Sequence, residues 1–407
     1  MSELRLFVAL GPGDIVGARR LQLAGKSINE TSIAFSEQLF AYCRLRSIRT
    51  LAVSSNSRVD KLEEGLVRIE NCPKPFAGCG GVRFHLSLIL YGLRMAMYAR
   101  QFRATVAVID SGTSHYFALA LFRILGIPVL VNLHNVLWPR GFPPQGKLPR
   151  SIRFLNSLFF RYMCAGAIGV SPECERQIHS ESRGRIPFFQ YRCQFKVVGF
   201  RSSSLQTADA FRIAFVGRAE SNKGVLDLPR MARGLRERAP IKVIFEVCGD
   251  GSALSELKFI VREQRVQDQV IVHGRLERCA LLEIYALSDA VIAPTRSNFT
   301  EGMPQVCAEA VLSGIPVITS EVTNTFDVIG PATVHARTDD VESYINAILS
   351  LIEDQALYDR LRAQCPTLAA QFLDRSQSYP AALDRLLEIV TGQKHFSDYK
   401  DVFREII

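Results

Sequence analysis

The stretch Thr300–Ala310, TEGMPQVCAEA, holds two glutamates, Glu301 and Glu309, with seven residues between them, one a proline. Pro304 suits a first helical turn, and Gly314 suits the stop of a helix running to Ser313. Glu301 then lies in the loop ahead of that helix, and Glu309 about two turns inside it. Ala308 and Ala310 flank Glu309. A carboxylate buried in so apolar a setting needs hydroxyl or amide donors, because burying one bare is costly. A sugar offers hydroxyls; plain solvation is the alternative. Upstream, FVGRAESNKGV (Phe215–Val225) reads as a strand ending at Gly217, then Arg218, then Lys223 at the start of a helix reaching about Arg238. Two cations at a helix N-terminus make a diphosphate site; a solvated loop is the other reading. VCGDG (Val247–Gly251) is a glycine turn that admits a ligand or simply a tight bend. VHGR (Val272–Arg275) repeats the layout after a third strand, with His273 read as structural.

These residues need strands to present them. In the first half the strand candidates are Leu4–Leu10, Thr50–Val53, Leu66–Ile69, Thr105–Ile109, Val129–Leu133 and Ala167–Val170. Amphipathic segments such as Thr31–Leu45, Phe84–Phe102 and Pro149–Met163 lie between them. After the polar stretch GFRSSSLQTADA (Gly199–Ala210) the rhythm restarts at Arg212–Val216, Val243–Val247, Val270–Val272, Ala290–Ala293 and Pro316–Ile318. Strands alternating with helices indicate α/β architecture: two doubly wound parallel-sheet, Rossmann-like domains, 1–200 and 211–378, with the helical tail 379–407 crossing back to the first. Ligands of such sheets sit beyond the strands' carboxyl ends, so two facing domains enclose a central cleft.

A chain of 407 residues with 48% apolar and 22% charged residues is globular and too long for one ordinary core. No segment approaches the roughly 18–20 uncharged apolar residues of a membrane helix, and the run Leu6–Leu10 is too short for a signal peptide. The ten cysteines show no metal spacing and read as reduced, mostly buried thiols of a cytoplasmic protein. Residues 1–200 hold 26 Lys+Arg against 12 Asp+Glu, and residues 201–407 hold 23 against 28, so the net +9 divides as +14 and −5. The first half therefore faces something anionic. A basic amphipathic segment there, with Arg150, Arg153 and Arg161 among Leu148, Phe154, Leu155, Leu158, Phe159 and Phe160, fits either an anionic membrane surface or packing on the sheet. Nucleic acid is not expected, since no recognition motif is present.

FVGRAESNKGV, VIVHGR and TEGMPQVCAEAVLSGIPVITS together resemble the nucleotide-sugar domain of family 4 retaining glycosyltransferases, which have the two-Rossmann-domain GT-B architecture. The resemblance is specific over Phe211–Ser320; over 1–200 it rests on the strand–helix rhythm and NLHN, Asn132–Asn135. It implies a UDP- or GDP-linked sugar donor whose diphosphate is held by Arg218 and Lys223 beside Gly217. Glu309 would take the ribose hydroxyls and Glu301 those of the transferred sugar. Backbone groups of Gly302, Met303, Gln305 and Val306 would help, His134 would line the donor sugar, and backbone near Arg275 would meet the base. The family's paired-glycine loop after the first strand is replaced here by single glycines at 11, 13, 17 and 25. Lys26, Asn29 and Glu30 are acceptor-side candidates. The expected enzyme is a retaining hexosyltransferase acting on a glycan or lipid-linked acceptor in cell-surface polysaccharide or glycolipid synthesis, cytoplasmic or peripheral on the inner membrane face. It needs no cofactor and no metal, as no Asp-x-Asp occurs. The alternatives are an epimerase or phosphorylase on the same frame, or a non-catalytic binder of anions or nucleic acid.

Overall fold

The computed structural model describes residues 3–25, 31–76, 78–196, 199–200 and 210–394. Lys26, Asn29, Glu30 and the tail beyond 394 lie outside the described residues.

Ten strands come first: β1 (Arg5–Leu10), β2 (Ser32–Ile33), β3 (Arg49–Ser54), β4 (Asp60–Glu64), β5 (Val67–Asn71), β6 (Val106–Asp110), β7 (Val129–Leu133), β8 (Cys164–Gly169), β9 (Phe188–Gln190) and β10 (Gln194–Phe195). Six more follow: β11 (Ala210–Val216), β12 (Lys242–Cys248), β13 (Val270–Gly274), β14 (Ala290–Ala293), β15 (Val317–Thr319) and β16 (Thr333–His335). The first sheet runs β4-β5-β3-β1-β6-β7-β8-β9 and the second β13-β12-β11-β14-β15-β16. Every pairing in them is parallel except β4 with β5. Central strands such as Val129–Leu133 and Ala290–Ala293 are buried along their whole length, as expected where helices cover both faces.

Two details depart from the sequence pattern. β4, DKLEE, was not anticipated: it is an edge strand whose charges protect the free edge from further pairing. The segment Thr31–Leu45 is not one helix. Ser32–Ile33 pairs antiparallel with β10, and the helix begins at Phe35.

Strand order reverses between β1 and β6 in the first sheet and between β11 and β14 in the second. A crevice opens at each such reversal, above the carboxyl ends of the strands. The loops after β11 and β14, which carry Lys223 and Glu301, flank the second crevice. The helix Tyr379–Val390 packs on β8, β9 and the helix Phe35–Leu45, and its Leu383, Leu386 and Leu387 join the first sheet's core.

Candidate donor-binding cleft

After β11 the chain leaves Gly217 and Arg218 exposed and makes two 3-10 turns, Ser221–Lys223 and Val225–Asp227. The α-helix starts only at Leu228. This corrects the expectation that Lys223 opens a helix: it closes a turn, so it brings its own charge to the cleft without a helix dipole behind it. The reason is tertiary. Gly224 has φ +75°, and a Cβ there would lie 2.0 Å from the Pro294 carbonyl oxygen. The loops after β11 and β14 touch at that point, which only glycine allows.

That contact sets Lys223 against Glu301. The ammonium is bound to the Glu301 carboxylate, and the Phe299 ring lies 4.2 Å from Lys223 Nζ and 6.0 Å from the Arg218 guanidinium. Glu301 is 6% exposed. Its backbone is held by Asn324, whose side-chain amide donates to the carbonyl oxygens of Glu301 (2.6 Å) and Gly302 (3.2 Å).

Pro304 caps the helix Gln305–Leu312, which buries Cys307, Ala308, Ala310 and Val311 and carries Glu309 in with them. The Glu309 carboxylate accepts from the hydroxyls of Thr31 and Tyr285, one on each oxygen. Burial pushes its pKa up, and the two hydroxyls only partly offset that. The hydroxyl donors it required are thus supplied by the protein itself. Each oxygen keeps a further lone pair that could accept another donor.

The opposite wall comes from the first sheet. His134 follows β7 with both ring nitrogens engaged: Nε2 is 3.1 Å from Asp110 Oδ2, and Nδ1 is 3.1 Å from the Tyr191 hydroxyl. Asn132 joins the set: its Oδ1 accepts from the Tyr191 hydroxyl at 2.7 Å, and its Nδ2 lies 3.0 Å from His134 Nε2. Phe35 packs on the ring at 4.6 Å. So His134 presents a fixed, internally bonded ring to the cleft rather than a free nitrogen. Gly302 presses on the same turn, for a Cβ there would lie 2.0 Å from the His134 carbonyl oxygen.

A cavity of about 450 Å³ lies between these walls, within the range of small-molecule sites. It brings together His134, Gly217, Arg218, Lys223, Glu301, Met303, Gln305, Val306 and Glu309. Two expected residues are not on its wall. Gly302 serves as the packing point just described. Arg275 is exposed on the turn after β13, where His273 bonds Glu246 at 2.7 Å and is structural as expected. The VCGDG turn is also structural, with the Gly249 amide donating to the Gly274 carbonyl. Sequence reasoning missed Phe35, Arg192, Thr295 and the supporting Thr31, Tyr285, Phe299 and Asn324. Their only signal is three-dimensional proximity, though Arg192 is conspicuous in the structure. Its guanidinium meets Gln371, Gln190 and carbonyl oxygens but, among the described residues, no carboxylate, and burial lowers its pKa.

Among the described residues no group of three or more His, Cys, Asp or Glu could hold a metal ion, and no helix is long and apolar enough to cross a membrane. Eight of the ten cysteines are buried thiols.

Comparison with known proteins agrees with this architecture. The family model "Glycosyl transferases group 1" matches residues 200–366. A putative glycosyltransferase, EpsF, of Bacillus subtilis is 27% identical over 227 residues, covering 51% of this chain and 54% of the relative. A D-inositol 3-phosphate glycosyltransferase of Xylanimonas cellulosilytica is 32% identical over 114 residues, covering 28% of this chain and 27% of the relative. In both cases the match spans little more than half of the relative or less. Among solved structures, sucrose-phosphate synthase from Thermosynechococcus elongatus superposes with a TM-score of 0.72 at 13% identity, over 96% of this chain and 100% of that one. Anabaena HepE in complex with UDP and glucose does so with a TM-score of 0.64 at 13% identity, over 96% and 100%. The chain therefore has the GT-B fold, resembles family 4 glycosyltransferases, and is similar over residues 200–366 to the group 1 glycosyltransferases.

Proposed function

We propose that the protein transfers a hexose from a UDP- or GDP-linked donor to a hydroxyl of a glycan or lipid-linked acceptor, with retention at the anomeric carbon. The observation that carries this reading is the convergence of Arg218, Lys223, Glu301 and Glu309 on one cavity, opposite His134. Two cations meet the diphosphate, and two carboxylates meet hydroxyls on either side of it. HepE, whose structure holds UDP and glucose, supports a nucleotide sugar as the ligand class.

In this reaction the bond from the anomeric carbon to the diphosphate oxygen breaks, and the acceptor oxygen bonds to that carbon on the same face. The acceptor's proton passes to the departing diphosphate. Arg218 and Lys223 stabilise the charge that grows on the leaving group, the largest contribution available to such a site. Glu301 and the walls near His134 hold the sugar in place for attack. The phosphates are neutralised by these side chains, with no metal required. We assign the work to the cytoplasmic face of a membrane, in surface polysaccharide or glycolipid synthesis, with the basic first half meeting anionic lipid.

A panel of UDP- and GDP-linked hexoses tests the reading. Hydrolysis or transfer from one donor, lost in Lys223→Ala, is expected. A flat panel with no nucleotide binding overturns it.

A further inference from the structure

The short segment from Thr31 to Phe35, on the first sheet's side, touches both walls of the donor cleft. Ser32–Ile33 pairs antiparallel with Gln194–Phe195, which fixes its path, and Phe35 then packs on the His134 ring at 4.6 Å. Toward the other wall, Ser32 Oγ donates to Gln305 Oε1 at 3.1 Å, and the Thr31 hydroxyl donates to Glu309 Oε1. Gln305 and Glu309 lie one turn apart on the helix Gln305–Leu312, and so share a face of it. Two successive residues of the segment therefore hold the helix face that carries the carboxylate proposed for the nucleotide.

A carboxylate inside a helix draws its donors from other segments, because the amides around it are spent on the carbonyls one turn back. Tyr285, on the helix Arg278–Leu287, serves Oε2 of Glu309. Thr31 serves Oε1 from the opposite side of the cleft. Thr31 is 6% exposed and Glu309 5%, so a hydrogen bond lost there is not readily replaced by water. Glu309 lines the cavity and Thr31 does not. Whatever Thr31 does for a ligand, it does through the carboxylate.

We propose that Thr31 is a positioning residue of the donor site: from the opposite wall it fixes Oε1 of Glu309 as the acceptor for a ribose hydroxyl, so that nucleotide is held fully only where the two walls meet. The proposal rests on the nucleotide-sugar reading of the cleft. It also has a sign. A hydroxyl that merely stood in the place of a ribose hydroxyl would compete with the nucleotide, and removing it would raise affinity. A hydroxyl that orients the carboxylate lowers affinity when it is lost.

The test titrates the full chain with UDP and GDP by calorimetry from acid to neutral pH, in wild type, Thr31→Val and Thr31→Ser. Thr31→Val keeps the shape and should bind nucleotide about 3- to 10-fold more weakly, the worth of one hydrogen bond. Thr31→Ser keeps the hydroxyl and should bind as wild type does. The pH profile is the readout that packing alone would not move. Burial raises the Glu309 pKa, and the Thr31 and Tyr285 hydroxyls pull it back, so losing Thr31 raises it further. Affinity should therefore fall at a higher pH on acidification in Thr31→Val than in wild type. The groups around Glu309 leave that profile clear. Burial holds Tyr285 well above its ordinary value and pushes the Cys193 and Cys307 thiols up to about 12. His134, Arg192, Arg218, Lys223 and Glu301, which share the cavity, are common to every variant. Thr31→Ala repeats the comparison if the melting temperature shows that valine disturbs the fold. Tighter binding in Thr31→Val, equal binding, or weaker binding with an unmoved pH profile overturns the proposal. Carbon-13 NMR of the glutamate carboxyls, with Glu309 assigned by Glu309→Gln, separates the contact from the reading it rests on. A Glu309 signal that titrates higher in Thr31→Val while no variant binds nucleotide overturns the nucleotide reading and leaves the contact. A titration that does not move overturns the contact itself.

Discussion

Lys223 and Glu301, presented by the loops after β11 and β14, form an ion pair over the Phe299 ring. The residue proposed for the diphosphate and the residue proposed for the sugar therefore neutralise each other. A diphosphate that recruits Lys223 must share it with Glu301, so the donor exchanges one ion pair for another and gains only the difference.

From this pair follows an asymmetry. Glu301→Gln releases Lys223, so nucleoside diphosphate affinity should hold or rise while turnover falls about 10- to 150-fold, the worth of one charged hydrogen bond. Lys223→Ala should lose nucleotide affinity and also stability, by about 1–3 kcal/mol, because a buried carboxylate is left without its partner. Adding Glu301→Gln to Lys223→Ala should recover the melting temperature but not the activity. Calorimetry and nucleotide titration on the three variants check this. Strict additivity of the two stability losses would contradict the pairing.

Glu309 makes a prediction about pH. Its folded pKa is raised, so the folded state holds a proton more tightly than the unfolded chain, whose value is near 4.5. Its contribution is therefore favourable below that value and is lost as pH rises through the folded pKa. Glu309→Gln keeps the shape without the charge. Its melting temperature should exceed that of wild type at neutral pH by a few degrees, since about 1 kcal/mol moves a domain of this size by ~2–4 °C. The advantage should vanish toward pH 4.5. Glu309→Ala should weaken free nucleotide and donor alike. A melting difference that is constant with pH would show that the carboxylate is not desolvated.

Much of this site could be read in one dimension because its parts are local. The strands Val129–Leu133 and Ala290–Ala293 occur where a largely apolar run is bounded by polar or proline residues, and one short loop and the helix after it carry both Glu301 and Glu309. What escaped depends on contacts between distant segments. Nothing in NKGV says that Gly224 must pass within contact of Pro294, yet that contact breaks the expected helix and turns Lys223 toward Glu301. Thr31 and Tyr285 reach Glu309 from 278 and 24 residues away. The Asp110–His134–Tyr191 set is likewise assembled only by the sheet. Charged β4 was missed for another reason: an edge strand protected by charge reads like a surface turn.

The charge balance of the cleft predicts its response to chelation. Arg218 and Lys223 bring two positive charges to the diphosphate, and arginine can fork two phosphate oxygens where lysine acts as a point. Transfer should persist in excess EDTA. Arg218→Ala should lower kcat more than Arg218→Lys does, because the charge it meets grows as the leaving group departs. Activity abolished by EDTA and restored by magnesium or manganese would overturn the assignment of these two side chains as the sole neutralising groups.

The proposed membrane contact has a candidate surface in the helix Lys147–Tyr162. Its inward residues Phe159 and Phe160 are buried in the first sheet's core, so packing explains those two. It does not explain Phe154 at 61% exposure, or Leu148 and Leu155 beside it. Arg150 and Lys147 are exposed at the same end, and Arg153 lies over the Trp138 ring at 4.1 Å and pairs with Glu181. Apolar side chains flanked by cations fit an anionic bilayer surface, where each basic residue contributes about 1 kcal/mol. Sedimentation with vesicles should therefore rise with anionic lipid content and fall with salt. Phe154→Ser with Leu155→Ser should reduce it about 10-fold or more, since two large apolar side chains are worth roughly 1.5–3 kcal/mol each when buried, while the melting temperature stays near that of wild type. Binding indifferent to anionic lipid, or unchanged in the double variant, would leave the +14 balance of residues 1–200 to be explained by the acceptor instead.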